Sequence, residues 1–246
     1  MEKMDSNTIL ITGGANGIGL VLAERFITAG NKVIICGRRE DKLAEAKKKI
    51  PELHTYKFDV SKEEDRIALY EQVTHEHPDV NVLLNNAGVQ RYLQLDEKEP
   101  WKNTESEIAT NLDAPIHLAM LFTQHFLGRE YAAIMNVTSG LSHVPLVVVP
   151  VYNATKAGLH SFTLSLRKQL EKHNIEVIEI SPPHTNTDLG APGANTAGVP
   201  VEEFADAVMK GLMEGQQEVT YGWSQLTAQA SRAERDEIFK QLNADY

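Results

Sequence analysis

A chain of 246 residues with a net charge of −10 and 42% hydrophobic residues is long enough to bury one large core and is expected to form a single α/β domain over residues 1–246. The acidic balance excludes a surface that gathers nucleic acid or anionic lipid, since either needs a concentrated basic face, and it leaves small-molecule chemistry as the better expectation. Cys36 is the only cysteine, which excludes an internal disulfide and a multi-thiolate metal site, and no metal is expected.

The N-terminal "MEKMDSNT" lacks the apolar core of a signal peptide, and no apolar window reaches membrane-spanning length, so the chain reads as cytoplasmic. Strand-like apolar runs then recur at "TILIT", "KVIIC", "HTYKF", "VNVLL", "AAIMNV", "EVIEI" and "EVTY", with helically periodic segments between most of them. Strands buried on both faces read as continuous apolar runs. Their alternation with helices predicts a parallel sheet wound by right-handed crossovers, a three-layer Rossmann-type sandwich with seven parallel strands. The composition of "GAPGANTAGVP" predicts a flap over about 184–200. The tail "SQLTAQASRAERDEIFKQLNADY" predicts a helical extension over about 224–243, with Leu226, Ala230, Ala233, Ile238 and Leu242 facing inward.

Between the first strand and the first helix stand Gly13, Gly17 and Gly19, in the spacing Gly-x-x-x-Gly-x-Gly. A strand-to-helix glycine turn permits close backbone approach and presents N–H donors suited to a pyrophosphate. The competing reading is a turn beside a close helix–strand contact. The second strand ends in "CGRRE", where Gly37 occupies the place of the acidic residue that holds a ribose 2′-hydroxyl in many dinucleotide folds. Arg38 and Arg39 follow, and guanidinium groups bind phosphate oxygens through paired donors, which points to the 2′-phosphate of NADP(H) in preference to NAD(H). The bland alternative is a pair of solvated arginines opening a helix.

In "YNATK", Tyr152 and Lys156 stand four residues apart, so on a helix they share a face. Upstream, "MNVTSG" ends a strand-like run at Ser139, at the sheet edge where parallel sheets bind ligands. Together with "TGGANGIG", "NNAG" from Asn85 to Gly88 and "TNLDAP" holding Asn111, these motifs resemble the single-domain short-chain dehydrogenase/reductase family. The resemblance spans about the first three-quarters of the chain and implies a catalytic tetrad of Asn111, Ser139, Tyr152 and Lys156. It also implies cofactor contacts from Gly13, Asn16, Gly17, Ile18 and Gly19, from Arg38, Arg39, Asp59 and Val60 on the adenosine side, from Asn86, Ala87 and Gly88, from Tyr152 and Lys156, and from Pro182, Thr185 and Thr187. "ITGG…GIGL", "VIICGRRE", "VTSGL" and "EVIEISPP" look like the DltE-like branch, whose name is associated with bacterial cell-wall D-alanylation gene clusters.

The chemistry fits the residue types. Carbonyl reduction needs a hydride donor and an acid for the developing alkoxide, and a neighbouring ammonium, together with the positive charge of an oxidised nicotinamide, is expected to lower the pKa of Tyr152. Ser139 would hold the substrate oxygen. Serine as a nucleophile is the rival role, with His143 as the nearest base in sequence, but no Gly-x-Ser-x-Gly elbow is present. Pro115, lacking an N–H, is expected to bend its helix and free the Asn111 carbonyl for a water that links Lys156 to solvent. Pro183 replaces the usual glycine after the sixth strand. Leu141, Val144, Leu146 and Val149 line either an apolar pocket or the core.

The leading reading is an NADP(H)-dependent oxidoreductase on a small carbonyl/alcohol pair, a homodimer or homotetramer through helices around 103–127 and 152–173 by family resemblance. The alternative is a non-catalytic dinucleotide sensor or scaffold.

Overall fold

The computed structural model describes residues 1–98, 100–191, 193 and 195–246; Pro192 and Ala194 of the expected flap lie outside the described residues, as does Glu99. All seven expected runs form strands: β1 (Thr8–Thr12), β2 (Lys32–Gly37), β3 (His54–Lys57), β4 (Val82–Asn85), β5 (Ala132–Val137), β6 (Ile175–Ser181) and β7 (Glu218–Thr220). They make one parallel sheet in the order β3-β2-β1-β4-β5-β6-β7. The intervening helices are α1 (Gly17–Thr28), α2 (Glu40–Lys49), α3 (Glu63–Glu76), α4 (Trp101–Ile108), α5 (Ala114–Phe126), α6 (Pro150–Leu170) and α7 (Val201–Met213), followed by α8 (Trp223–Gln229) and α9 (Arg232–Leu242).

Strand period decides which layer each residue joins. Ile9 and Ile11 of β1 point into a core shared with Phe26 of α1, Leu43 of α2 and Phe204 of α7. Leu10 points the other way, toward Leu69 of α3, Phe122 of α5 and Leu170 of α6. Phe26, Phe122 and Phe204 are completely buried, each contributing roughly 1.5–3 kcal/mol of hydrophobic stabilisation. The strand order reverses between β1 and β4, so their carboxyl ends part and open a crevice, the usual ligand position in such sheets.

Two departures from expectation matter for that crevice. The bend near Pro115 takes the form of a π-helical turn, Ala109–Asp113, between α4 and α5, with the Ala114 N–H donating five residues back to the Ala109 carbonyl. Asn111 sits inside this turn and is completely buried. The C-terminal extension is two helices rather than one, because Ser231 starts α9 with a capping box: its Oγ accepts from the Glu234 N–H and its own N–H donates to Glu234 Oε2. The expected inward positions are also corrected. Leu226 is 55% exposed and α9 buries no residue, while Ser224 and Thr227 are the buried residues of α8. Short polar side chains are used there because they bond backbone: Ser224 Oγ donates to the Ser181 carbonyl at 2.6 Å, and Thr227 Oγ1 to that of Gly140 at 3.3 Å. Asn243 then ties the tail to the loop before α6, accepting from Val147 N–H at 2.8 Å and donating to the Pro145 carbonyl at 3.1 Å.

Candidate active site

The glycine turn sits at the sheet's carboxyl edge. Gly13 has φ +65°, and a Cβ there would lie 2.8 Å from Ala87 Cα; a Cβ on Gly19 would lie 2.4 Å from Asn86 Nδ2 and 2.7 Å from the Gly13 carbonyl. These close approaches are bonded. Thr12 Oγ1 accepts from the N–H groups of both Asn86 and Ala87 at 3.0 Å, and Asn86 Nδ2 donates to the carbonyls of Thr12 and Gly13. Gly17, with φ +54°, opens α1, and Thr187 lies above it, 3.5 Å from its Cβ position. Asn16 makes no side-chain cap and the first turn, which includes Ile18, carries no acidic residue. The N–H donors of that turn therefore have no side-chain acceptor, the arrangement a pyrophosphate fits.

On the adenosine side Gly37 ends β2 and no carboxylate stands at its end. Arg38, half exposed, lies 4.0 Å from Asp59 Oδ2, and Asp59 Oδ1 is held by the N–H and hydroxyl of Ser61. Val60 is buried. Arg39 occupies the cap position of α2 and is exposed. Beyond β6, the Pro182 carbonyl accepts from Gly140 N–H. The Thr185 hydroxyl donates to the Pro183 carbonyl, and Asn195 pins the segment by donating to the Thr187 and Leu189 carbonyls at 2.8 Å.

Asn111, Ser139, Tyr152 and Lys156 come from the π turn, the end of β5 and the first turns of α6, and all four are buried. Asn111 pairs with Val89, accepting from its N–H at 2.9 Å and donating to its carbonyl at 2.8 Å. Lys156 Nζ donates to the Val137 carbonyl at 2.7 Å and lies 5.7 Å from the centroid of the Tyr152 ring. A Cβ on Gly88 would lie 3.7 Å from Asn111 Oδ1 and 3.8 Å from Lys156 Nζ, so the loop after β4 closes on both. Ser139 Oγ accepts from Leu141 N–H at 3.2 Å. His143 does not reach Ser139: its Nε2 lies 4.0 Å from Glu218, and its ring packs edge-on against His160. The nucleophilic reading of Ser139 therefore lacks its base.

The protein's own groups do not by themselves lower the Tyr152 pKa. Burial pushes the phenol up to about 12, against which a hydrogen bond with Ser139 pulls down and the charge of Glu107 pushes further up. Burial likewise lowers the Lys156 amine to about 8. Desolvation by burial is the largest cause at both groups. Of the four candidate lining residues, Val144 and Val149 belong to the core, at 1% and 0% exposure, while Leu141 and Leu146 remain partly exposed.

Residues 7–197 match the family described as short chain dehydrogenase. The chain belongs to that family. Over 252 residues, covering 98% of each chain, it is 47% identical to the uncharacterized oxidoreductase DltE of Bacillus subtilis (strain 168), which places it in the DltE-like branch. It is 30% identical to serine 3-dehydrogenase of Rhizobium radiobacter over 210 residues, 84% of this chain and 82% of that one. A short chain dehydrogenase from Burkholderia cenocepacia J2315, solved in complex with NADP, shares the fold with a TM-score of 0.84 at 24% identity over 98% of both chains.

This short-chain dehydrogenase holds its site on a buried polar frame that periodicity does not disclose. Asn85 donates to Asn136 Oδ1 and Asn136 to Thr163 Oγ1, both at 2.9 Å, joining β4, β5 and α6. Next to Ser139, Thr138 Oγ1 donates to Glu179 Oε1 at 2.6 Å, and His160 Nδ1 lies 2.8 Å from Glu179 Oε2. Glu179 is fully buried. The one signal for it is a carboxylate inside the strand run "EVIEI".

His143, beside this frame, makes the stability of the dehydrogenase depend on pH. Burial lowers it to about 4, helped by His160 and Arg235 and opposed by Glu179; Glu218 faces it at 4.0 Å. With a depressed folded-state pKa, the unfolded chain takes up the proton first, so stability contributed at neutral pH is lost as pH falls from 6.5 toward 4, by up to about 3 kcal/mol. Denaturant midpoints at pH 7 and pH 5 read this directly. His143→Phe is expected to flatten the decline, and an unchanged slope would remove His143 as its source.

Proposed function

We propose that this short-chain dehydrogenase is an NADP(H)-dependent oxidoreductase that interconverts a carbonyl compound and an alcohol, with Tyr152 as general acid and base. The observation that carries the reading is the meeting of Ser139, Tyr152, Lys156 and Asn111 in the crevice that also holds the uncapped start of α1. A nicotinamide held there would supply or accept hydride. Tyr152, up to about 12, holds its proton at neutral pH and delivers it to the developing alkoxide. Ser139 donates to the same oxygen and keeps the carbonyl carbon on line. Lys156 stands over the Tyr152 ring, fixed by Val137, and its remaining N–H donors would hold a ribose. Asn111 locks the loop of Val89, and so the distance between α6 and the loop after β4.

The glycine turn takes the pyrophosphate at the N-terminus of α1, Asp59 and Val60 the adenine end, Asn86 to Gly88 the nucleotide's inner face, and Pro182, Thr185 and Thr187 the nicotinamide side. Arg38 and Arg39 supply the donors for a 2′-phosphate, supported by the missing carboxylate at Gly37 and the Arg38–Asp59 approach. The same reading includes a homodimer or homotetramer built on α4, α5 and α6, where Met120 and Leu164 are exposed at 62% and 44%; light scattering reads its mass.

Titration with NADPH and NADH, followed by nicotinamide fluorescence, tests the cofactor half. NADPH is expected to bind more tightly. Arg38→Ala and Arg39→Ala are expected to weaken NADPH about 10- to 100-fold, the worth of a charge-assisted hydrogen bond, and to leave NADH unchanged. Equal binding of the two nucleotides would overturn the 2′-phosphate assignment, and binding of neither would overturn the oxidoreductase reading.

A further inference from the structure

The loop after β4 and helix α4 enclose a cavity of about 220 Å³, lined by Arg91, Tyr92, Leu93, Asn103, Thr104 and Glu107. Two oppositely charged side chains line it without a salt bridge between them, the Arg91 backbone and charge both acting on Glu107. Glu107 is 1% exposed, and its Oε1 has no hydrogen-bond partner; Nε of Arg91 is buried and equally without one. A buried carboxylate with an open acceptor is costly unless something supplies a donor, and a guanidinium is the natural partner of a planar carboxylate. The tetrad uses neither side chain.

The cavity adjoins the reacting centre. Arg91 follows Gly88 by three residues, and Val89 between them is paired to Asn111. Leu93 N–H donates to the Val148 carbonyl at 3.0 Å, tying this loop to the segment that leads into α6 and Tyr152. Glu107 precedes Asn111 by one helical turn, near enough for its charge to act on the Tyr152 hydroxyl. The loop thus runs from the side of the site held by Asn111 and Lys156 to a cavity whose lining includes no tetrad residue, and a small molecule reaching from Ser139 and Tyr152 to Arg91 and Glu107 would follow it.

The pair selects among chemical classes. A neutral alcohol leaves both charges desolvated. A simple hydroxy acid satisfies Arg91 but brings a second negative charge toward Glu107. A molecule carrying a carboxylate and an ammonium on one carbon, next to a hydroxyl-bearing carbon, answers all three positions, and the cavity's volume lies below the roughly 300 Å³ at which pockets for drug-sized ligands begin.

We propose that Arg91 and Glu107 are the substrate-selecting residues of this enzyme and that its substrate is a small 2-amino-3-hydroxy acid, with carboxylate on Arg91, ammonium on Glu107 and the 3-hydroxyl between Ser139 and Tyr152. The inference rests on the oxidoreductase reading above. In the oxidative direction the C3–H bond breaks and its electron pair and hydrogen pass to NADP⁺, while the hydroxyl proton passes to the Tyr152 phenolate. The products are a 2-amino-3-oxo acid, NADPH and, once Tyr152 releases it, one proton. Burial pushes the Glu107 carboxyl up to about 7, with Arg91 pulling it down, and an arriving ammonium favours its ionised form further.

The test uses the full chain with NADP⁺ and four probes: serine and threonine in all stereoisomers, 3-hydroxybutyrate, and 2-butanol. NADPH formation gives kcat/KM, and calorimetry on the Tyr152→Phe protein with NADP⁺ gives affinity without turnover. At least one amino hydroxy acid is expected to exceed 3-hydroxybutyrate by 10-fold or more in kcat/KM or in affinity. Glu107→Gln is expected to erase that preference, with a 10- to 100-fold loss on the amino hydroxy acid and less than 3-fold on 3-hydroxybutyrate. Arg91→Gln is expected to lose both acids by at least 10-fold relative to 2-butanol. If NADP(H) binds but no amino hydroxy acid is preferred over 3-hydroxybutyrate or 2-butanol, in rate or in affinity, the inference fails and the oxidoreductase reading stands. If NADP(H) does not bind, the oxidoreductase reading fails and the inference falls with it.

Discussion

Tyr152→Phe is expected to lower kcat by at least about 1,000-fold, within the range that a positioned acid or base contributes, and to change the affinity for NADPH less than 3-fold. The ring is buried, 6% exposed, and stands 5.7 Å from Lys156 Nζ, so phenylalanine keeps the packing and removes the hydroxyl, with its hydrogen bond to Ser139 and the proton that the reaction moves. Because burial pushes the hydroxyl up to about 12, the acid form dominates at neutral pH. Carbonyl reduction should therefore be flat across neutral pH, whereas alcohol oxidation, which needs the phenolate, should accelerate as pH rises. Phenylalanine should abolish that rise along with turnover. A variant that retains more than a tenth of wild-type kcat would show that another group handles the proton. A protein whose nucleotide binding and biological output both survive the change would be a sensor rather than an enzyme.

The five inner strands were legible because a parallel strand covered on both faces must be apolar throughout, and "TILIT" or "AAIMNV" leaves little else to read, whereas the edge strands β3 and β7 are only partly buried. The crevice followed from the same runs: the glycine turn, the loop from Asn86 to Gly88 and the end of β5 at Ser139 all lie at strand carboxyl ends. The helical spacing of Tyr152 and Lys156 placed both on one face of α6, which the structure reproduces. Spacing cannot report burial, and burial opposes at Tyr152 the lowering expected from Lys156 and an oxidised nicotinamide. The same blindness hides Glu107, which on periodicity alone passes for a solvated helix residue, and Glu179, whose neighbours come from a strand and a helix distant in sequence. The tail failed differently. Ala and Leu at helical intervals suggested an inward stripe, but Ser231 with Glu234 stops one helix and starts another. The contacts that hold the tail are side-chain to backbone bonds from Ser224, Thr227 and Asn243, which no hydrophobic pattern encodes.

Glu179→Ala is expected to destabilise the protein by about 3–5 kcal/mol, the cost of removing one partner from a buried ion pair. For a chain of this length that corresponds to a Tm lowered by roughly 6–20 °C. Its carboxylate is fully buried, accepts from Thr138 at 2.6 Å and lies 2.8 Å from His160 Nδ1. Burial pushes its pKa up, but the bonds from His160 and Thr138 prevail and hold it below the usual carboxylate value; the same hydrogen bond raises His160. The signs define a window. The lowered carboxylate stabilises above its ordinary value of 4.5 and loses that contribution as pH falls through the folded-state value. The raised imidazole stabilises below its ordinary 6.5 and loses its contribution as pH rises through the folded-state value. The pair is therefore at full strength between about pH 4.5 and 6.5, and the Tm difference between wild type and Glu179→Ala should be largest there and shrink at pH 9. Because Glu179 also acts on His143, the comparison is made in the His143→Phe background, which removes that separate acid slope. Glu179→Gln, which can still accept from Thr138 but places an N–H against His160 unless that ring is neutral, should fall between the two. A Tm difference that stays below 2 °C at pH 6 would mean that water or a shifted His160 replaces the pair, and that the frame behind Ser139 is held by the Asn85–Asn136–Thr163 chain alone.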